Sequence, residues 1–183
     1  MAKRKKRKKI NSGMTSVLKM GIFLLIVLTI TYVIVTYVGR KTVVRGVSMQ
    51  ETLYDGDNII MDKLSYTIGE PKRFDVICFK SYSEKELLIK RIIGLPGESV
   101  RILAGKIYID GKEIKDVCKD RVENPGLAAG EIVLADDEYF VLGDNRVESI
   151  DSRYSEVGNI KKSEILGKAS AVIYPFDRIR KIK

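Results

Sequence analysis

The sequence predicts an all-β domain, mostly antiparallel, behind one N-terminal transmembrane helix. Three observations predict it. Met20–Val38, "MGIFLLIVLTITYVIVTYV", runs nineteen residues without a charge. The chain after it breaks into short alternating or β-branched segments rather than long amphipathic ones. Gly, Pro, Asp and Asn punctuate those segments in turn-forming combinations.

Residues 1–19 form a basic tail. Its opening, "MAKRKKRKK", holds seven Lys/Arg (Lys3 to Lys9) and no acid, whereas the rest of the chain carries 26 basic residues against 24 acidic. The formal charge of +9 is therefore a tag rather than a nucleic-acid face. Residues 20–38 match the roughly 20 residues that a helix needs to cross a bilayer. A cleavable signal peptide usually has an apolar region of only about 7–15 residues and a small-x-small cleavage site. This run ends in "TYVGRKTVV", with no Ala-x-Ala, and reads as an uncleaved single-pass anchor. Lys3 to Lys9 and Lys19 precede it, against Arg40 and Lys41 just after. The positive-inside bias puts the N-terminus in the cytoplasm, the anchor in the cell membrane and the rest outside. The basic tail then faces an anionic inner leaflet.

Residues 40–183 are enough for one core. "KTVVRGVS", "DNIIMDKLSY", "RFDVICFK" and "ELLIKRIIG" read as strands, with "TIGEPK" and "LPGE" as breaks. About residues 100–137 form a less regular inserted region. It opens with strands and turns in "SVRILAGKIYIDGKEI", where Asp110-Gly111 suits a hairpin turn with positive φ. From about Val117 to Asp137 it is loop-rich. "EYFVLGDN" and "GKASAVIYPF" supply the last strands. Cys78 and Cys118 match no metal spacing and read as structural thiols, although the compartment permits a disulfide.

The chain has no histidine, which excludes Ser-His-Asp and Cys-His sites and any histidine-ligated zinc. No glycine-rich phosphate cradle is present. No cofactor and no metal site is predicted. Serine with lysine as its base remains. Ser48, in "GVSMQETLYDGD", fits two roles: nucleophile, or capping residue of a turn in Ser48-Met-Gln-Glu51. Lys90, in "LLIKRIIG", shares a strand face with Leu88 and Ile92. Buried there, it would favour the neutral amine, which can accept a serine proton. At a sheet edge it would instead extend its amine to solvent. "GDNRVESIDSR" (residues 143–153) is dense in polar groups for a hairpin. Ser149 is placed to orient the Lys90 amine, Asp144 to engage Arg91, and Asp151 to pair with Arg153 across one strand face; a solvated loop is the plain alternative.

"GVSMQETL", "KRIIGLPGE" and "GDNRVESIDSR", in this order behind one anchor, resemble the bacterial type I signal peptidases, and "VIYPFDRI" resembles the family's close. The resemblance covers nearly the whole ectodomain. It implies a coiled antiparallel-sheet peptidase domain and a serine endopeptidase that removes signal peptides from exported preproteins after small-x-small sites. By motif match Ser48 is the nucleophile, Lys90 the general base and Ser149 its orienting partner. Gly46, Met49, Arg91, Asp144, Asp151 and Arg153 are supporting positions. Lysine after "LLI", where eukaryotic and many archaeal relatives carry histidine, points to the bacterial form. The implied partners are exported preproteins and the lipid bilayer, with the secretion translocon a further candidate and no nucleic acid.

Two positions depart from the family pattern. Glu51 stands where proline is usual, removing a fixed φ; it is expected to face solvent or cap turn amides. Gly46 stands where some relatives carry a serine that binds the oxyanion, which leaves that task to the Ser48 backbone amide. An apolar surface patch beside Ser48 is expected as well. The rival readings are a signal-peptidase-like accessory protein of secretion or pilus assembly, and a self-cleaving Ser-Lys regulator. The regulator would need a cytosolic DNA-binding module for which the chain has no room.

Overall fold

The structure, a computed structural model, describes residues 2–33, 39–80, 87–118 and 121–182. Two units emerge, one ending at Val38 and one beginning at Gly39. The first is α1 (Ala2–Val33), whose stretch Met14–Tyr32 has mean hydropathy 2.0 and is long and apolar enough to cross a membrane. The helix thus runs through the basic tail and into the expected span. Residues 34–38 of that span lie outside the described residues.

The second unit is built from short strands, in chain order β1 (Gly39–Val43), β2 (Asn58–Asp62), β3 (Val76–Lys80), β4 (Leu87–Gly94), β5 (Ser99–Leu103), β6 (Lys106–Ile109), β7 (Lys112–Glu113), β8 (Ile132–Val133), β9 (Glu138–Leu142), β10 (Ile160–Lys161), β11 (Ile165–Tyr174) and β12 (Arg180–Lys181). The pairings are antiparallel. The larger sheet runs β1-β2-β11-β3-β4-β9-β10, with β12 on β11, and the smaller runs β7-β6-β5-β8.

The sheets follow from residue pattern. In β3 the run Val76–Phe79 is buried throughout, as expected where both faces of a strand are covered. Val76 and Cys78 pack with Met49, Leu53, Ile59 and Val172, whereas Ile77 and Phe79 pack with Ile92, Tyr139 and Val141. β5 and β6 point Val100, Ile102, Ile107 and Ile109 at Ile93, Phe140 and Leu142, fastening the small sheet to β4 and β9. Asp110 and Gly111 have φ of 50° and 73°, the conformation of a tight hairpin between β6 and β7. β11 weaves between β2 and β3 with register shifts, and at Gly167 a Cβ would come 2.6 Å from the Asp62 carbonyl.

"DNIIMDKLSY" is strand only to Asp62. The Asp62 carboxylate accepts from Leu64 N (2.9 Å), Ser65 N (3.1 Å) and Ser65 Oγ (2.6 Å), and the short helix α2 (Ser65–Ile68) follows. Local side-chain bonds of this kind compete with the sheet ladder. The inserted region is regular through β5–β7, and beyond Glu113 it holds a 3₁₀ turn at Gly126–Ala129 and the two-residue β8.

Candidate active site

Ser48 lies in the loop between β1 and β2, and that loop is closed from several sides. Val44 N donates to Asp57 O (2.8 Å) and Gly56 N to Val44 O (3.0 Å), bringing the loop ends together. Gly46, at φ +80°, donates its N–H to Asp55 Oδ1. Met49 and Leu53, joined by Leu53 N→Met49 O (2.7 Å), are both buried in the core under the turn. Glu51 is exposed, on the solvent side of the loop. Asp57, fully buried, accepts from Tyr54 N through Oδ2 and from Arg178 through Oδ1 (2.8 and 3.1 Å). Arg180 Nη2 adds a bond to Thr52 O (2.6 Å). The last strand thereby clasps the loop that carries Ser48.

β4 brings Lys90 to it. Lys90 is 3% exposed, and its Nζ lies 2.7 Å from Ser48 Oγ. Lys90 pairs with Ile77 of β3, and its neighbours in β4, Ile89 and Arg91, are buried. A small cavity of about 40 Å³ opens beside the two side chains, lined by Val44, Arg45, Met49 and Leu87–Ile89 among others.

The segment after β9 forms the other wall. Asn145 N donates to Ser48 O (3.0 Å) and Asn145 Nδ2 to Val47 O (3.3 Å). Gly143 is wedged against the same carbonyl, at 2.5 Å from where its Cβ would stand, and that Cβ would also strike Ser149. The Ser149 hydroxyl is thus packed beside Gly143 and the Ser48 backbone, and it makes no hydrogen bond among the described residues.

Two arginine–carboxylate forks support this wall. Arg91 Nε and Nη2 donate to Asp144 Oδ1 and Oδ2 (2.8 and 2.6 Å), both side chains almost fully buried. Arg91 Nη1 also donates to Phe74 O. Arg153 Nε and Nη2 donate to Asp151 Oδ1 and Oδ2 (2.7 and 2.9 Å), while Asp151 Oδ2 accepts from Gly143 N and Arg153 Nη2 also reaches Ser149 O. Asp151 and Arg153 meet in a turn rather than on a strand face, because Ser152 folds back on Val141. Residues not singled out from sequence also contribute: Asn145, Gly143, Asp57, and Arg146, which binds Asp116 through Nη2 (2.9 Å). Of these, Gly143, Asn145 and Arg146 stand in the polar stretch "GDNRVESIDSR", whose density was their signal.

Burial by itself would raise the Asp144 carboxyl, but hydrogen bonds and charge from Arg91 outweigh it and hold Asp144 below its ordinary 3.8. A carboxylate depressed in the folded state stabilises it fully above its unfolded value, and that stability disappears as pH falls through the folded value. Urea midpoints between pH 5 and 2 should therefore fall, with a smaller fall in Asp144→Asn; an identical acid profile in the variant would discard this account. Cys78 and Cys118 are free thiols. Burial pushes Cys78 up to about 12; for Cys118, burial followed by the Asp144 charge gives about 11.

The sequence profile of the family described as "Signal peptidase, peptidase S26" matches residues 17–174. The chain belongs to the signal peptidase family. Signal peptidase I P of Bacillus subtilis subsp. natto is 32% identical over 185 residues, covering 97% of this chain and 99% of that one. A signal peptidase I of Bacillus amyloliquefaciens is 33% identical over 187 residues, covering 98% and 100%. The crystal structure of a signal peptidase I from Enterococcus faecalis V583 aligns at 31% identity and TM-score 0.46, over 56% of this chain and 98% of that chain. Family membership makes the protein an enzyme, a serine endopeptidase of signal peptidase I type. Its N-terminal apolar helix fits a membrane-anchored member of the family.

Proposed function

We propose that this signal peptidase cleaves signal peptides from exported preproteins with Ser48 as nucleophile and Lys90 as general base. The observation that carries the reading is the 2.7 Å approach of Lys90 Nζ to Ser48 Oγ, with the amine side chain 3% exposed. Burial strips an ammonium of hydration and favours the neutral amine. The neutral amine takes the hydroxyl proton as Ser48 Oγ attacks the scissile carbonyl, forming the C–O bond and an oxyanion. The Ser48 N–H, without a hydrogen-bond partner among the described residues, is the available donor to that oxyanion. Lys90 then passes its proton to the departing amine as the C–N bond breaks. In the second half-reaction Lys90 takes a proton from water as the water oxygen bonds to the acyl carbon; the ester C–Oγ bond then breaks, the carboxylic acid leaves, and Lys90 returns the proton to Ser48 Oγ.

The small cavity beside Ser48 suits a methyl-sized side chain, in keeping with small-x-small cleavage sites. The substrate would lie extended against a strand edge, held by main-chain bonds and read by alternate side chains. α1 would anchor the enzyme with its N-terminus in the cytoplasm and residues from 39 outside, where a substrate helix in the same bilayer raises the effective concentration of the cut. Val47, next to Ser48, and Val147 and Ile150, in the wall after β9, are exposed apolar side chains that fit a bilayer surface. The translocon remains a candidate neighbour only through this placement.

The test is cleavage of a preprotein ending its signal in Ala-x-Ala by the detergent-solubilised full chain. Wild type should release the mature protein and Ser48→Ala should not, and replacing both Ala residues of the substrate with Phe should stop cleavage. Undiminished cleavage by Ser48→Ala would refute the nucleophile. An inert wild type would leave the accessory-protein reading in its place.

A further inference from the structure

Thr52, four residues after Ser48, is bound at both of its polar atoms by arginines from opposite ends of the fold. Its carbonyl accepts from Arg180 Nη2 at 2.6 Å, and its hydroxyl from Arg91 Nη2 at 3.3 Å. The Arg180 guanidinium also donates through Nη1 to Arg178 O (3.0 Å) and stands 3.9 Å from Asp57 Oδ2. Its strand is itself fixed. Arg180 and Lys181 of β12 pair with Val172 and Ala171 of β11, and Ile182 N donates to Ser170 O (2.9 Å). The Ile182 side chain is buried in the same core cluster as Val44, Met49 and Leu53.

The Ser48 turn needs such a brace. Burial of Met49 and Leu53 sets how deep it lies, but the tilt of its peptide planes, on which the aim of Ser48 Oγ depends, is left to hydrogen bonds. Residues 48–53 belong to no helix or strand. The bonds internal to the turn are Gln50 N→Val47 O (3.1 Å) and Leu53 N→Met49 O (2.7 Å). Glu51 leaves its own φ unfixed, where a proline would set it. Arg180 is 36% exposed along its side chain, so water can replace its bond to Thr52 and spare most of the stability. Water cannot replace the direction that a strand-held guanidinium imposes.

We propose that Arg180 is a positioning residue: acting through the Thr52 carbonyl, it holds the Ser48 hydroxyl in its 2.7 Å approach to the Lys90 amine. This rests on the Ser48–Lys90 reading above, and two independent readouts keep the two apart.

The first readout is steady-state cleavage of the Ala-x-Ala preprotein by the detergent-solubilised full chain. A misplacement of about 1 Å near a reacting group can cost on the order of 10²-fold, and Arg180→Met should lower kcat by about tenfold with KM within about twofold of wild type. The urea midpoint should stay close to that of wild type. Arg180→Lys should recover most of the lost kcat, because Thr52 O takes a single donated hydrogen. Lys181→Gln, on the same strand with an exposed side chain, should match wild type. The second readout is amide exchange, which needs no catalysis. The Leu53 amide, bonded to Met49 O, and the Asn145 amide, bonded to Ser48 O, should exchange faster in Arg180→Met while those of β3 and β4 do not change.

A kcat for Arg180→Met within twofold of wild type overturns the proposal. So do equal losses in Arg180→Met and Arg180→Lys, which would assign the effect to packing, and an equal loss in Lys181→Gln, which would assign it to surface charge. A fall in kcat that follows a fall in the urea midpoint makes Arg180 a stability residue and overturns it too; Arg180→Gln then repeats the measurement with a smaller loss of packing. An inert wild type with locally faster exchange in Arg180→Met rejects the protease reading and keeps the brace. An active wild type with unchanged exchange and kcat in Arg180→Met rejects the brace alone.

Discussion

Lys90→Met should abolish cleavage, lowering kcat by about 10⁴-fold or more, while the protein stays folded. General-base catalysis alone contributes roughly 10²–10⁴-fold, and the chain has no histidine to stand in. Methionine fills nearly the same volume as the lysine stem, so no large cavity opens under Ser48. The urea midpoint should hold or rise, because a buried amine is replaced by a thioether that needs no hydration. Ser48→Ala combined with Lys90→Met should be no slower than the worse single variant, since residues that act as one unit lose their effect together. Retention of more than a tenth of wild-type kcat in Lys90→Met would remove the amine from the mechanism. Collapse of the fold would be diagnosed by circular dichroism, and Lys90→Leu then repeats the measurement.

The largest stability effect is expected at the Arg91–Asp144 fork. Both partners are buried, at 3% and 2% side-chain exposure. Asp144→Ala leaves a guanidinium without its counter-charge in the core, which costs about 3–5 kcal/mol. It also releases the residue next to Asn145, whose amide holds the Ser48 carbonyl, so kcat should fall along with stability. The pair removed together, Arg91→Met with Asp144→Leu, should recover most of the lost stability, because no unpaired charge remains. Urea unfolding of the three variants separates these outcomes. A cost under about 1 kcal/mol for Asp144→Ala would mean that the fork is better hydrated than its burial indicates.

Those two side chains also mark how far sequence reading reaches. Arg91 sits beside Lys90 in one motif and Asp144 opens another, so their chemistry suggested a pair before any coordinates did. The strands were readable where both faces or one face had a clear pattern, as in "DVICF" and "EYFVL". "DNIIMDKLSY" was not, because one carboxylate, Asp62, turned the backbone out of the ladder after five residues. Nothing local announces that Asp57 meets Arg178, 121 positions away, since either charge alone looks like ordinary surface. The Ser149 hydroxyl belongs to the same class: its motif gave its neighbourhood, while its packing against Gly143 depends on the fold.

The position of β11 sets an order of assembly. β2 and β3 lie close in sequence but do not pair with each other; each waits for a strand made more than a hundred residues after β2. As the ribosome extends the polypeptide, two open edges must therefore stay unjoined until residue 174 has emerged, and Ser48 has no clasp until Arg180 has. Long-range pairing of this sort is slow and leaves edges vulnerable in the meantime. The catalyst proposed to act on the beginnings of other chains would thus gain its own competence only from near its end.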